Sequence, residues 1–261
     1  MIFSWSAKRF LTGCLLALGA LGLSGCITET ESVFTEQASP KKALEQRVEL
    51  ARSYIGQGNW EDAKRNLQVA AQLDGKNPEV YEAFALVYQS TGEYERAEEN
   101  FELAISLNSN FSRARNNYAA FLYGQQRYEE AEKQLVRVVK DTLYNARPQA
   151  FLNLGLSRLR LEDSEGAEEA FRRTLSMQPR NSTALLELAQ LRLEAGDSRD
   201  ASIYYGQYRK QVLQPSARAL WLGIRLAREN GDENGESSHA LALRNMFPES
   251  AEYEAYKRLL E

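Results

Sequence analysis

Five alanines recur along this chain at a nearly constant step. Ala63, Ala97, Ala131, Ala167 and Ala201 are separated by 34, 34, 36 and 34 residues. Four positions after each stands a large apolar side chain: Leu67, Phe101, Leu135, Phe171 and Tyr205. Residues four apart share one face of a helix, so each alanine and its partner point the same way. A period of this length accommodates two antiparallel helices and their turns. Such a unit cannot bury its apolar face alone and does so by stacking on its neighbours. The chain is therefore expected to be an all-α solenoid that displays a long surface to another protein, an architecture that argues against enzyme chemistry.

The upstream helix of each unit has its own signature. Where the second helix must cross closely, the sequence places Ala51, Ala85, Ala119, Gly155, Ala189 and Gly223. The residue before each is large: Leu50, Phe84, Tyr118, Leu154, Leu188 and Leu222. Alternating large and small side chains allow dense packing across a helix contact. Tyr54, Tyr88 and Leu122 occupy the next inward turn. The turns read Gly58-Asn59-Trp60, Gly92-Glu93-Tyr94 and Gly196-Asp197-Ser198, with glycine where a left-handed residue closes a helix. These are the features of tetratricopeptide repeats. The expected architecture is a right-handed superhelical solenoid of six tetratricopeptide helix pairs plus a C-terminal helix. Its units fall near 44–77, 78–111, 112–147, 148–181, 182–215 and 216–250 within an array over 41–261.

Some units depart from the pattern. Gln126 replaces the turn glycine of the third, and Asn145-Ala146-Arg147 adds two residues before Pro148, which should alter the rotation between units three and four. The fourth turn, Glu162-Asp163-Ser164, lacks an aromatic. Gly231 to Gly235 is read as a lengthened turn in the sixth unit, whose second helix has lost the alanine motif. Residues 249–261 are expected to form a short helix, with Tyr253, Tyr256, Leu259 and Leu260 on the face that covers the last edge.

The amino terminus is organised differently. Lys8 and Arg9 precede an apolar run from Phe10 to Leu23, which is short and glycine-rich for a membrane span and has the form of a secretory signal. It ends in Leu23-Ser24-Gly25-Cys26, which resembles a bacterial lipobox. Residues 1–25 are read as a lipoprotein signal peptide and Cys26 as the acylated new N-terminus. Acyl chains add about 0.8 kcal/mol of membrane affinity per buried methylene. Cys14 lies in the removed segment, so the mature chain would keep no free thiol and no disulfide. Ile27 and Thr28 follow Cys26. The absence of aspartate there points, by lipoprotein sorting rules, to the periplasmic face of the outer membrane. Residues 26–40 are read as a lipidated flexible tether whose coil spans roughly 20 Å; in it, Val33 and Phe34 form the one apolar pair.

Chemistry is sparse in the rest of the chain. The 32 basic and 36 acidic residues give −4, no basic stripe stands out, and nucleic acid is not an expected partner. The single histidine, His239, has no nucleophile or metal-ligand spacing around it, so no catalytic residue, metal or cofactor is expected. Glu98-Glu99, Glu129-Glu130 and Glu168-Glu169 read as a solvated helix face. Partner binding is instead assigned to the first-helix positions that line the concave face of such arrays: Val48, Arg52, Ile55, Leu86, Gln89, Arg113, Asn116, Ala120 and Tyr123. They describe an apolar strip with a few amide and guanidinium groups, suited to a helix or strand of a partner. Leu152, Leu156, Leu159, Leu186, Leu193, Leu220 and Ile224 continue it, unless tighter packing or the C-terminal helix covers them.

A lipobox, six repeats, Asn116-Asn117-Tyr118-Ala119 with Phe121-Leu122, and Ala150-Phe151-Leu152-Asn153-Leu154-Gly155 together resemble the type IV pilus biogenesis and stability lipoprotein family, the PilF/PilW type. The resemblance covers nearly the whole chain. It implies a pilotin, an outer-membrane lipoprotein that binds the type IV pilus secretin and promotes its localisation and multimerisation. An adaptor for cell-wall synthesis or another envelope assembly is the alternative.

Overall fold

The structure, a computed structural model, describes residues 39–261. The signal segment, Cys26, Val33 and Phe34 lie outside the described residues. Residues 43–261 form one compact unit.

Thirteen helices and no strand are present among the described residues. Six pairs follow one another: α1 (Pro40–Gly56) with α2 (Trp60–Leu73), α3 (Pro78–Thr91) with α4 (Tyr94–Leu107), and α5 (Ser112–Gly124) with α6 (Tyr128–Val138). Then come α7 (Arg147–Arg160) with α8 (Ser164–Met177), α9 (Ser182–Glu194) with α10 (Ser198–Arg209), and α11 (Ala217–Glu229) with α12 (Glu233–Met246). A single helix, α13 (Ala251–Arg258), ends the chain.

The six turns within pairs are built alike. Each holds one left-handed residue: Gly58, Gly92, Gln126, Glu162, Gly196 or Gly231, with φ between 61° and 80°. The next residue donates its N–H to the carbonyl five positions back at 2.8–2.9 Å, from Asn59 to Tyr54 through Asp232 to Ala227. That bond satisfies a carbonyl the helix end would otherwise leave open. Asn59, Asp163, Asp197 and Asp232 then cap the second helix with their side chains. The sixth turn is not lengthened. Its Asn230-Gly231-Asp232 loop matches the others, because Asp232 caps α12 and draws Glu233 to Gly235 into the helix. What the sixth unit lacks is the alanine: Glu236 stands at that place.

The repeated alanines are core residues. Ala63, Ala97, Ala131, Ala167 and Ala201 are all fully buried, as are Leu67, Phe101 and Phe171. On the first helices, Gly155 and Gly223 are needed because rings press on them. A Cβ at Gly155 would lie 2.5 Å from Phe171 Cε1, and one at Gly223 would lie 2.3 Å from Tyr205 Oη. Leu50 departs from its expected place and is 40% exposed. The equivalent residues, from Phe84 to Leu222, are covered by the preceding unit, and no described repeat precedes α1. Leu259 and Leu260 are also exposed, because α13 ends at Arg258; Tyr253 and Tyr256 make the packing contact.

Candidate partner-binding groove

Successive first helices touch one another, α3 with α5, α5 with α7 and α9 with α11, while each second helix packs on the first helices on either side of it. The first helices therefore form the tighter, inner layer and line the concave face. Two sets of polar contacts cross from unit to unit.

One set lies on the second helices, at the residue just after each packing alanine. Lys64 pairs with Glu93 at 3.4 Å, Glu98 with Arg127 at 2.7 Å and Glu132 with Arg158 at 2.8 Å. Glu168 pairs with Arg192, and Ser202 accepts from Asn230 at 2.9 Å. Glu98 also accepts from the Tyr118 hydroxyl at 2.8 Å, and burial together with that carboxylate pushes the hydroxyl well above its usual range. The sequence reading left Glu98 and Glu168 on a solvated face. Counting residues along one helix does not show that the position after the alanine looks toward the next unit. Each pair is partly exposed and contributes little alone, but the five recur in phase and fix the same junction each time.

The second set lies in the groove and centres on Glu82, whose side chain is fully buried. Its carboxylate accepts from Arg52 Nη2 at 2.5 Å and from Asn117 Nδ2 at 2.6 Å, and Arg113 Nε lies at 3.6 Å. Arg113 also reaches Glu79 at 3.1 Å. A buried carboxylate is tolerated only when paired in this way. The arrangement joins α1, α3 and α5. Asn153 donates to Asn116 at 3.3 Å and extends the link to α7. Glu187 receives both Nη atoms of Arg218 at 2.6 Å and joins α9 to α11.

Glu79 and Glu82 are the residues that sequence reasoning missed. Both occupy groove positions in α3, equivalent to Arg113 and Asn116 in α5, so the register that found those two would have found them as well. The two-residue insertion after α6 brings in a further group. Tyr144 reaches the vicinity of Arg113 and Glu82, and burial pushes its hydroxyl up, with Glu82 adding to the effect and Arg113 opposing it.

The sequence-selected residues consequently separate into two groups. Val48 is 2% exposed and belongs to the core, and Asn116 is buried under its bond to Asn153. Arg52 and Arg113 meet at Glu82 and are spent on holding the units together. The groove is thus not uniformly apolar: Arg52 of α1 and the N-terminal halves of α3 and α5 are taken up by this ionic cluster. The accessible strip runs over the last turn of α1 and the C-terminal halves of α3 and α5. Ile55, Leu86, Gln89 and Tyr123 are half-buried there, Ala120 is exposed, and half-buried Leu156, Leu159 and Leu193 continue the line. Tyr123 meets Tyr128 edge to face at 5.2 Å, and Arg160 lies over the Tyr128 ring at 4.9 Å. Burial pushes the Tyr123 hydroxyl up as well. Leu152 and Leu186 are buried, and Leu220 and Ile224 lie under Tyr253 and Tyr256 of α13, so the covered alternative holds for unit six.

No described helix is long and apolar enough to cross a membrane. His239 sits against the Tyr205 ring at 5.7 Å with Nδ1 at 2.7 Å from the Gly235 carbonyl oxygen.

Comparison with known proteins fits this geometry. Two family models for the tetratricopeptide repeat match residues 88–153 and 152–206. The type IV pilus assembly protein PilF of Pseudomonas aeruginosa is 34% identical over 244 residues, 93% of this chain and 96% of that one. A solved structure from the functional characterisation of Pseudomonas aeruginosa PilF superposes with a TM-score of 0.80 at 33% identity, covering 84% of this chain and 98% of that chain. The crystal structure of PilW, a widely conserved type IV pilus biogenesis factor, gives 0.70 at 27%, covering 82% and 98%. With the likeness to PilF running through all six helix pairs, the chain belongs to the PilF family of tetratricopeptide-repeat type IV pilus assembly proteins.

Proposed function

We propose that this protein is a pilotin, an outer-membrane lipoprotein held by acyl chains on Cys26 that binds the type IV pilus secretin along the groove. No bond is made or broken in this role. The anchor raises the local concentration of the secretin subunits at the membrane, and the repeats hold them there. The observation that carries the reading is the strip over Leu86, Gln89, Ala120 and Tyr123, set on a scaffold that the two polar ladders tie together, in a chain alike to PilF over 93% of its length. A preformed strip costs less ordering when a partner docks. Tyr123, with its polar tip and apolar body, is the anchor expected of such an interface.

The test uses two variants of the full chain in cells that make pili. Cys26→Ser should leave the repeats folded, release them from the outer membrane and reduce secretin multimers. Ala120→Arg should leave localisation intact and abolish co-purification of the secretin, since Ala120 is solvent-facing and its replacement does not disturb the core. Normal secretin multimers with Cys26→Ser would rule out the lipid address. Undiminished secretin recovery with Ala120→Arg would place the contact elsewhere, and recovery of cell-wall synthases in its place would favour the adaptor reading.

A further inference from the structure

Arg115 is the exception to the way this chain uses arginine. Arg52, Arg127, Arg158, Arg192 and Arg218 each face a carboxylate across a unit boundary. Arg115, in the first turn of α5, is only 6% exposed and forms no ion pair among the described residues. Its Nε and Nη2 donate to the Ser109 carbonyl at 3.0 and 2.9 Å, and Nη1 donates to Gln134 Oε1 at 2.5 Å. These neutral acceptors orient the guanidinium without cancelling its charge. A buried cation with no anion nearby is unfavourable, and burial with Arg137 close by lowers its hold on its proton.

The group lines a cleft of about 490 Å³ between the start of α5 and the end of α6. Arg137 and Lys140 line the same cleft, are exposed, and make no ion pair among the described residues. One carboxylate is present, Asp141, and it is already engaged: it accepts from Ser112 Oγ at 2.5 Å and from the Leu143 N–H at 3.0 Å. Three cations against one carboxylate leave a formal +2 on the walls. The N-cap of α5 is Phe111, which offers no side-chain acceptor, so the positive end of the helix also opens on this side.

We propose that this cleft binds a phosphate-type oxyanion, with Arg115 fixed at its floor and Arg137 and Lys140 closing over it. The guanidinium fork of Arg137, the two N–H groups of Arg115 not given to Ser109 and Gln134, and the Lys140 ammonium suit the several oxygens of a phosphate better than the two of a carboxylate. The site is separate from the groove strip and does not depend on the secretin reading. A phosphate group could arrive free in solution or as the headgroup of an anionic lipid; the recognising chemistry is the same.

The test is a titration of the full chain, followed by the Arg115 Nε–H resonance and by calorimetry. Inorganic phosphate is one probe and a water-soluble short-chain phosphatidylglycerol is the other. The double variant Arg137→Gln/Lys140→Gln leaves Arg115 and the core in place. Saturable binding of at least one probe, weakened about tenfold or more in that variant, is the expected result, corresponding to a loss of about 1.4 kcal/mol. Tighter binding of phosphate assigns a free ligand, and tighter binding of the lipid assigns a headgroup. If neither probe saturates, or if the double variant binds as well as the parent, the cleft is not an anion site.

Discussion

Tyr205 brings a hydroxyl to a place that two other units give to a plain ring. Phe101 and Phe171 stand at the equivalent positions, four residues after the packing alanine. Tyr205 is 8% exposed, stacks on Tyr208 at 6.1 Å and meets His239, but its hydroxyl has no hydrogen-bond partner. Gly223 is what makes room for it. An unpaired buried hydroxyl costs stability that a phenyl ring would not, so Tyr205→Phe is expected to raise stability by about 1 kcal/mol. Urea denaturation checks this, and a midpoint at or below that of the parent would mean that the hydroxyl finds a partner in solution. Burial pushes the Tyr205 hydroxyl from 10.0 up to about 12. The folded protein then keeps a proton that the unfolded chain releases. Its contribution is intact below the unfolded value and is lost as pH rises through the folded one. The advantage of Tyr205→Phe over the parent should therefore widen between about pH 9 and about pH 11.5, whereas a constant difference would argue against the shift.

The last helix is short, yet its removal should be felt by the pair beneath it. Tyr253 and Tyr256 of α13 pack on Leu220, Ile224 and Leu243, none more than 1% exposed. In a linear array each element is stabilised mainly by its neighbours, so damage stays local. A chain ending at Pro248 is expected to show amide exchange at least about tenfold faster in α11 and α12, with α3 to α6 unchanged. Uniform acceleration, or none, would contradict that picture. The existence of this helix was legible from Tyr253 and Tyr256, as were the first five helix pairs from the alanine period and the sixth from Leu222-Gly223. The turn at Gln126 was less so: it adopts φ 61° like the glycines, because the bonds on either side dictate the turn and the residue accepts the strain. The least legible part was the pairing across units. Glu82 lies 30 residues from Arg52 and 35 from Asn117, and periodicity within a helix carries no trace of such partners. It marks Glu82 as a groove position but not as the buried centre of a cluster. Nor could spacing show that Arg52 and Arg113 are engaged within the array.

The molecule taken entire is held unevenly along its length. One large core cluster runs from Leu44 to Ala170 and contains Phe84, Phe101, Tyr118 and Phe121, and the concave ladder of Arg52, Glu82, Asn117, Asn116 and Asn153 lies over it. Beyond it the core divides into three smaller clusters, and the single groove tie is Arg218 with Glu187. Across the boundary from α7 to α9, leucines make the contact: Leu152, Leu156 and Leu159 share a cluster with Leu188 and Leu191. A quasi-one-dimensional array with no polar groove tie at one junction need not unfold as one unit. Protection from hydrogen exchange in α9 to α13 is expected to fail at a lower urea concentration than in α3 to α6, and the helical signal should lose cooperativity, giving a shallower slope than a single transition of this size. The accessible strip from Leu86 to Tyr123 lies within the half that the polar ladder ties, so partner binding through it should outlast the opening of α9 to α13. A secretin pull-down at the intermediate urea concentration tests that consequence directly. Coincident loss of protection in all helices would show that the junction at α7 and α9 is as strong as the rest.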